Sequence, residues 1–157
     1  MIISAAMRRR MYRGGRPGRL ARALNRVSAL QFGAGFLTPD NWVTMEVTGR
    51  RSGHTVACPL VVTRYGDERY LVSMLGAKAN WVANVRAAGG DVVLRNRRRE
   101  RVRLVEVEPG ERAPILRRFV QIAPGARAHV PVDRHAPVTD FERIAADYPV
   151  FRVTPRP

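Results

Sequence analysis

Cysteine is almost missing: Cys58 stands alone among 157 residues, so one chain can form neither an internal disulfide nor a thiolate metal cluster. Such usage fits a cytoplasmic protein. Lysine is scarcer than the charge suggests, since Lys78 is the only one among 28 basic residues. No run of 18 apolar residues occurs, which excludes a conventional spanning helix. The apolar opening, Met1 to Met7, is followed by Arg8, Arg9 and Arg10; a secretory leader has the reverse order. Acids number only 13, leaving a net charge of +15 that favours anionic partners such as phosphates, polycarboxylates, acidic lipid or nucleic acid. A GC-rich coding bias would produce the same arginine excess, so the count alone does not indicate bidentate recognition. His54, His129 and His135 have no compact ligand spacing, and no metal is expected. Paired acids suited to glycoside hydrolysis are not evident, and there is no internal repeat.

What is present suffices for one folded domain, because 45% of the chain is apolar. Residues 1–26 form a basic extension with eight arginines and no acid. From Pro17 it runs into an amphipathic helix, with Leu20, Ala23, Leu24, Val27 and Leu30 at helical spacing. That helix suits packing on the domain, contact with an acidic bilayer or, less readily, nucleic acid. Residues 27–157 are expected as the main domain.

The stretch 41–84 organises that domain. Val43, Met45 and Val47 alternate with polar neighbours, the period of a strand with one buried face. The turn 49–53 leads to a strand at 55–64, where Pro59 calls for an edge or a bulge. The turn at 65–68 returns the chain through 69–74. Residues 80–87 read as a helix capped by Asn80, with Trp81, Val85 and Ala88 as its buried stripe, stopped by Gly89 and Gly90. Strands at 91–95 and 101–107 flank a charged turn at 96–99. A helix opened by Pro109 to Arg112 buries Ile115, Leu116, Phe119 and Val120. Residues 123–137 read as a substrate-side or partner-side loop, 138–147 as a short helix with Thr139 as cap, and 150–153 as a last strand. Six strands with short helices and no regular alternation predict a mainly β, α+β architecture built on a small antiparallel barrel.

Two stretches suit an anion. Arg50, Arg51, Ser52 and Gly53 combine guanidinium groups, a hydroxyl and turn amides, although a solvated hairpin turn is the plainer account of the same residues. Lys78 precedes a helix start, where amides and the helix dipole also favour negative charge, and a solvated loop lysine accounts for it equally well. Cys58 reads as a small buried hydrophobe.

The ordered combination Thr48-Gly49-Arg50-Arg51-Ser52-Gly53, Cys58-Pro59-Leu60, Tyr70-Leu71-Val72-Ser73, Gly76 and Asn80-Trp81-Val82-Ala83-Asn84-Val85 resembles the deazaflavin-dependent nitroreductase family, of the FMN-binding split-barrel superfamily. The resemblance implies a split β-barrel and the coenzyme F420, with FMN as runner-up. It implies hydride transfer from the reduced deazaflavin to an activated double bond, a quinone or a nitro-type acceptor. Carried over by position, Arg50, Arg51, Ser52 and Gly53 would surround the anionic tail, and Pro59 and Leu60 would line the groove. Ser73, Met74, Leu75 and Gly76 would approach the ring, while Lys78, Trp81 and Asn84 would close the site. Ser73, His129 and Tyr148 are the candidates for proton delivery. The loop at 74–80 is shorter than is usual in the family, and Tyr148 is the only late tyrosine, so nitroimidazole reduction is not implied.

The family also implies a small-molecule acceptor and a monomer or homodimer, at the inner face of a membrane if the N-terminal helix seeks one. A competing class is a non-enzymatic split-barrel module for a flavin, haem or lipid-like ligand. A nucleic-acid binder would use Arg95, Arg97, Arg98 and Arg99, but it lacks interleaved aromatic residues, and no specific nucleic acid is expected.

Overall fold

The computed structural model describes residues 41–156; the basic extension and its amphipathic helix lie outside the described residues. Six strands close an antiparallel barrel: β1 (Trp42–Thr48), β2 (Thr55–Tyr65), β3 (Glu68–Val72), β4 (Asp91–Asn96), β5 (Arg98–Glu106) and β6 (Val150–Pro155). Around the barrel they run in the order β1, β2, β3, β6, β5, β4. The expected small, mainly antiparallel barrel with short helices is what the chain forms. Among the described residues three helices accompany it: α1 (Asn80–Ala87), α2 (Ala113–Ile122) and α3 (Val138–Glu142).

The two-residue period of β1 puts Val43, Met45 and Val47 inside, where they meet Leu71, Leu94, Val102, Leu104 and Phe151. Met45, Leu71 and Phe151 are almost wholly withdrawn from water, each such side chain contributing about 1.5–3 kcal/mol. A second core lies outside the barrel wall. There Ile115, Leu116, Phe119 and Val120 of α2 pack with Val72, Phe141 and Val150, which is the stripe their spacing predicts.

Pro59 sits opposite Thr44 of β1, while pairing of β2 with β3 begins only at Val62. The Val62 amide donates to Asn41 on the β1 side. Alternation along the strand therefore turns the donorless Pro59 nitrogen towards the side that β3 leaves open. Residues 55–61 thus form a strand edge, the split in the barrel.

Several expectations need correction. The charged turn at 96–99 is one residue long: Asn96 pairs with Arg98 and Arg95 with Arg99, and Arg97 takes the tip at φ 65°. Strand pairing runs through Arg95 and Arg99, which both close on Glu46 at 3.2 and 3.1 Å, while Arg97, Arg98 and Arg99 stay exposed as expected. Ala79, not Asn80, caps α1, with no side-chain bond, and its buried residues are Val82, Asn84 and Val85. Trp81 lies half-buried at the barrel rim, its ring 5.6 Å from that of Phe151. Pro109–Glu111 is a separate 3-10 turn, and α2 begins after it. Pro137 precedes α3 in the place given to Thr139. That helix stops at Glu142, with Ala145–Asp147 forming another 3-10 turn. The segment 123–137 is no free loop, since Ala123, Ala126 and Val130 are buried in the outer core.

Candidate functional site

The turn 49–53 is built by its own backbone. Gly49 N–H donates to His54 C=O at 2.8 Å and Gly53 N–H to Gly49 C=O at 2.9 Å. Gly53 takes φ 71°, a conformation that side chains with a Cβ resist. Ser52 Oγ accepts the His54 N–H at 3.2 Å. This pins the turn while leaving Arg51, Ser52 and Gly53 exposed.

Asn84 then ties the turn to α1. Its Oδ1 accepts both the Arg50 backbone N–H, at 3.1 Å, and the Arg50 guanidinium, at 2.9 Å. A buried amide with two donors on one oxygen is a strong positional constraint. Arg50 is accordingly held as a brace, and Arg51 is the guanidinium of this turn that projects without an acid beside it among the described residues.

Along the open edge of β2, Cys58 and Leu60 are half-buried against the barrel core, against which Leu75 and Trp81 also pack. Pro59 is half-buried between Cys58 and Leu60 in sequence. Burial pushes the Cys58 thiol up to about 12, so at neutral pH it is a packed thiol and not a nucleophile.

The loop after β3 is stapled from within. The Ser73 hydroxyl, wholly buried, donates to Gly76 C=O at 2.7 Å. The expectation that Ser73 delivers a proton therefore meets a hydroxyl already committed to shaping the loop. Gly76 adopts φ 78°, and a Cβ there would approach Asp147 C=O at 3.0 Å, so glycine lets this loop lie close to the Ala145–Asp147 turn. Lys78 projects into solvent just before α1.

Beside this loop lies a cavity of about 450 Å³. Met74, Leu75, Gly76 and Lys78 form one wall, with His129, Asp147 and Tyr148 facing them. The Tyr148 hydroxyl donates to the backbone carbonyl of His129 at 2.9 Å. Burial and then the neighbouring Asp147 charge raise its pKa, so it stays protonated at neutral pH. His129 and Tyr148 are therefore brought together, whereas His54 and His135 remain exposed and apart from this cavity.

Sequence reasoning missed Arg112. This arginine is buried to 4% exposure and donates to the carbonyls of Val107, Ala145, Ala146 and Tyr148, while also meeting Glu106 at 3.0 Å. It fixes the backbone that carries Tyr148. Nothing in its local spacing separates it from the other arginines. Among the described residues no group of three or more His, Cys, Asp or Glu is placed to hold a metal.

Residues 19–142 match the family described as F420H(2)-dependent quinone reductase. No curated protein matches the chain. Among solved structures, a domain-swapped dimer is similar at 19% identity, over 85% of this chain and 96% of that one, with a TM-score of 0.51. A protein of unknown function from Agrobacterium tumefaciens is 10% identical over 84% of this chain and 55% of its own, with a TM-score of 0.51. An F420-H2 dependent reductase is 22% identical over 73% of this chain and 94% of its own, at a TM-score of 0.48.

Proposed function

The chain belongs to the F420H(2)-dependent quinone reductase family, and from that premise we propose how its residues hold the coenzyme and which acceptor they serve. It is a hydride-transfer oxidoreductase that uses the deazaflavin F420 with a small-molecule acceptor. We assign the anionic tail to the surface where the turn 49–53 meets α1, and the ring to the split between β2 and the loop 73–78.

One observation carries this reading. No acid occurs between Glu46 and Asp67, nor between Glu68 and Asp91, and the Arg50–Asn84 bonds join these two acid-free stretches. Arg51 and Lys78 thus face solvent on two stretches with no carboxylate of their own, Asp147 being the acid that lines the cavity beside Lys78. A polyanionic tail fits these stretches, since charge-assisted bonds to phosphate or carboxylate are the strong ones. Ser52 and the Gly53 amide supply neutral donors beside Arg51.

When bound, the reduced coenzyme supplies the hydride. The protein positions and shields. Pro59, Leu60, Leu75 and Trp81 offer apolar contact along the split and exclude water from the reacting face. Met74 and Gly76 let the loop approach the ring closely, with the Ser73 hydroxyl holding the loop shape. Tyr148, kept protonated, would give its proton to the reduced acceptor only by turning its hydroxyl away from the His129 carbonyl that now accepts it, and His129 lines the same cavity. At about 450 Å³ the cavity suits one ring-sized acceptor. We name a quinone as the first to test, with activated double bonds and nitro compounds after it.

No described helix is long and apolar enough to cross a membrane. We propose a cytoplasmic enzyme whose basic N-terminal helix rests on an acidic bilayer, where a lipid-soluble quinone is available. The open edge of β2 accommodates a monomer with coenzyme in the split, or a homodimer that covers it.

The test is to mix purified protein with reduced F420 and a short-chain quinone and follow return of the oxidised coenzyme's absorbance. Quinone-dependent oxidation that Tyr148→Phe slows about a hundredfold supports the reading, the factor being a low-end loss for a positioned acid. Saturable F420 binding with no turnover across quinones, enones and nitro compounds would instead favour a binding module.

A further inference from the structure

One carboxylate joins two walls of the proposed site. Glu106, the last residue of β5, accepts bonds from arginines of two different elements. Arg86 of α1 forks onto it, donating from Nε to Oε1 and from Nη2 to Oε2, both at 2.9 Å. Arg112 donates from Nη2 to the same Oε2 at 3.0 Å. Bonding to Arg86, more than any other cause, holds the Glu106 carboxyl below the usual carboxylate range, so it is charged at neutral pH.

The two arginines carry different parts of the molecule. Arg112 is buried, and its other bonds among the described residues go to neutral carbonyls: Val107 at 2.8 Å, and Ala145, Ala146 and Tyr148 at 3.3, 3.3 and 3.4 Å. A buried cation is costly without a counter-charge. Glu106 therefore fixes where the guanidinium sits, and Nη1 in turn holds the 145–148 turn by its carbonyls. That turn brings Asp147 and Tyr148 to the wall of the acceptor cavity. Arg86 carries α1 instead. Two residues earlier, about 200° round the helix, Asn84 braces Arg50 of the turn 49–53. The helix is thus gripped on opposite sides, by the coenzyme turn and by Glu106.

We propose that Glu106 is a positioning residue for hydride transfer: it joins the helix that braces the coenzyme turn to the turn that carries Tyr148, and so sets how the acceptor meets the coenzyme. This rests on the coenzyme and acceptor assignments made above. Glu106 acts through Arg86 and Arg112, not by contact with either ligand. A misplacement of about 1 Å costs up to about a hundredfold in rate, so a joint between the two walls has leverage on the reaction. Glutamine at this position keeps the length and loses the charge, and its amide nitrogen donates where the carboxylate accepted. The Arg69–Glu100 fork, with bonds of 3.1 and 2.6 Å, is comparably exposed and lines no wall of the cavity. It is the control.

Two measurements on the full chain test the proposal. Without coenzyme, hydrogen exchange over residues 144–149 should be at least about tenfold faster in Glu106→Gln than in wild type and unchanged in Glu100→Gln. With reduced F420 and a short-chain quinone, Glu106→Gln should lose about tenfold in kcat/KM for the quinone. Its F420 dissociation constant should stay within about twofold of wild type, because Asn84 still holds the coenzyme turn; this also reports an intact fold. Arg86→Gln should lose as much, and adding it to Glu106→Gln should cost less than about twofold more, since both cut the same link. Faster exchange together with this quinone-specific, non-additive loss supports the role. Unchanged exchange over 144–149, additive losses, or a quinone kcat/KM in Glu106→Gln equal to that of Glu100→Gln overturns it and leaves the coenzyme and acceptor assignments standing. A wild-type chain that binds F420 and reduces no quinone overturns the acceptor assignment itself, and the positioning role with it.

Discussion

Two arginine-bearing turns lie at opposite ends of β1's neighbours, and their arginines have different fates. In the turn 49–53, Arg50 is held by a neutral amide, Asn84, at 2.9 Å, and its carboxylate-free surroundings leave Arg51 available. At the β4–β5 turn, Arg95 and Arg99 share Glu46, whose side chain is only 11% exposed. An amide braces an arginine without neutralising the neighbourhood; a carboxylate removes charge from use. The distribution of 13 acids, more than the number of arginines, thus decides which turn can receive an anion.

The largest effect should come from an arginine committed wholly to structure. Arg112→Ala leaves several buried carbonyls without their donor and Glu106 with Arg86 alone, and a loss of about 3–5 kcal/mol is expected. Denaturant unfolding measures it. Breaking the clamp at the second turn comes next: Glu46→Gln should cost about 2 kcal/mol, reduced from a fully buried pair because Arg99 is largely exposed. Its F420 affinity should stay at the wild-type value, which equilibrium titration checks. At the first turn, Asn84→Ala removes the acceptor of two donors and should cost about 1–3 kcal/mol, with weaker F420 binding following from the displaced turn.

The smallest effect concerns pH. Bonding to Arg69 lowers the pKa of Glu100, and bonding to Arg86 lowers that of Glu106. A carboxylate with a depressed folded pKa contributes stability above its unfolded value, near 4.3. That contribution is lost as pH falls through the lower folded value. Melting temperature should therefore be level from pH 8 to pH 5 and decline below about 4. Glu100→Gln should flatten the decline by less than about 1 kcal/mol, because this pair is solvent-screened.

Much of the fold was legible because its cause is local. The alternation of Val43, Met45 and Val47 states which face of β1 is inside, and the spacing of Ile115, Leu116, Phe119 and Val120 states which side of α2 packs. Pro59 announced an edge by its missing donor. What escaped depends on partners far along the chain. The run 95–99 looks like an exposed turn until Glu46, on another strand, draws Arg95 and Arg99 together. Arg112 is buried by carbonyls more than thirty residues later. Asn80 resembles a cap, yet Ala79 takes that place, and Trp81 yields the interior to Val82 as the bulky ring settles against Phe151 at the rim. Within the candidate site, the turn and the loop were visible as motifs, whereas the Arg50–Asn84 brace and the Ser73 staple required the two stretches to be brought together in space.

The most direct test of the account is the dissociation constant of F420 for the wild-type chain and for Arg51→Ala, measured by fluorescence titration at fixed ionic strength. The account predicts saturable binding that weakens about tenfold on loss of one charge-assisted contact, with thermal stability unchanged because Arg51 is exposed. An F420 dissociation constant in Arg51→Ala equal to that of the wild type would contradict it.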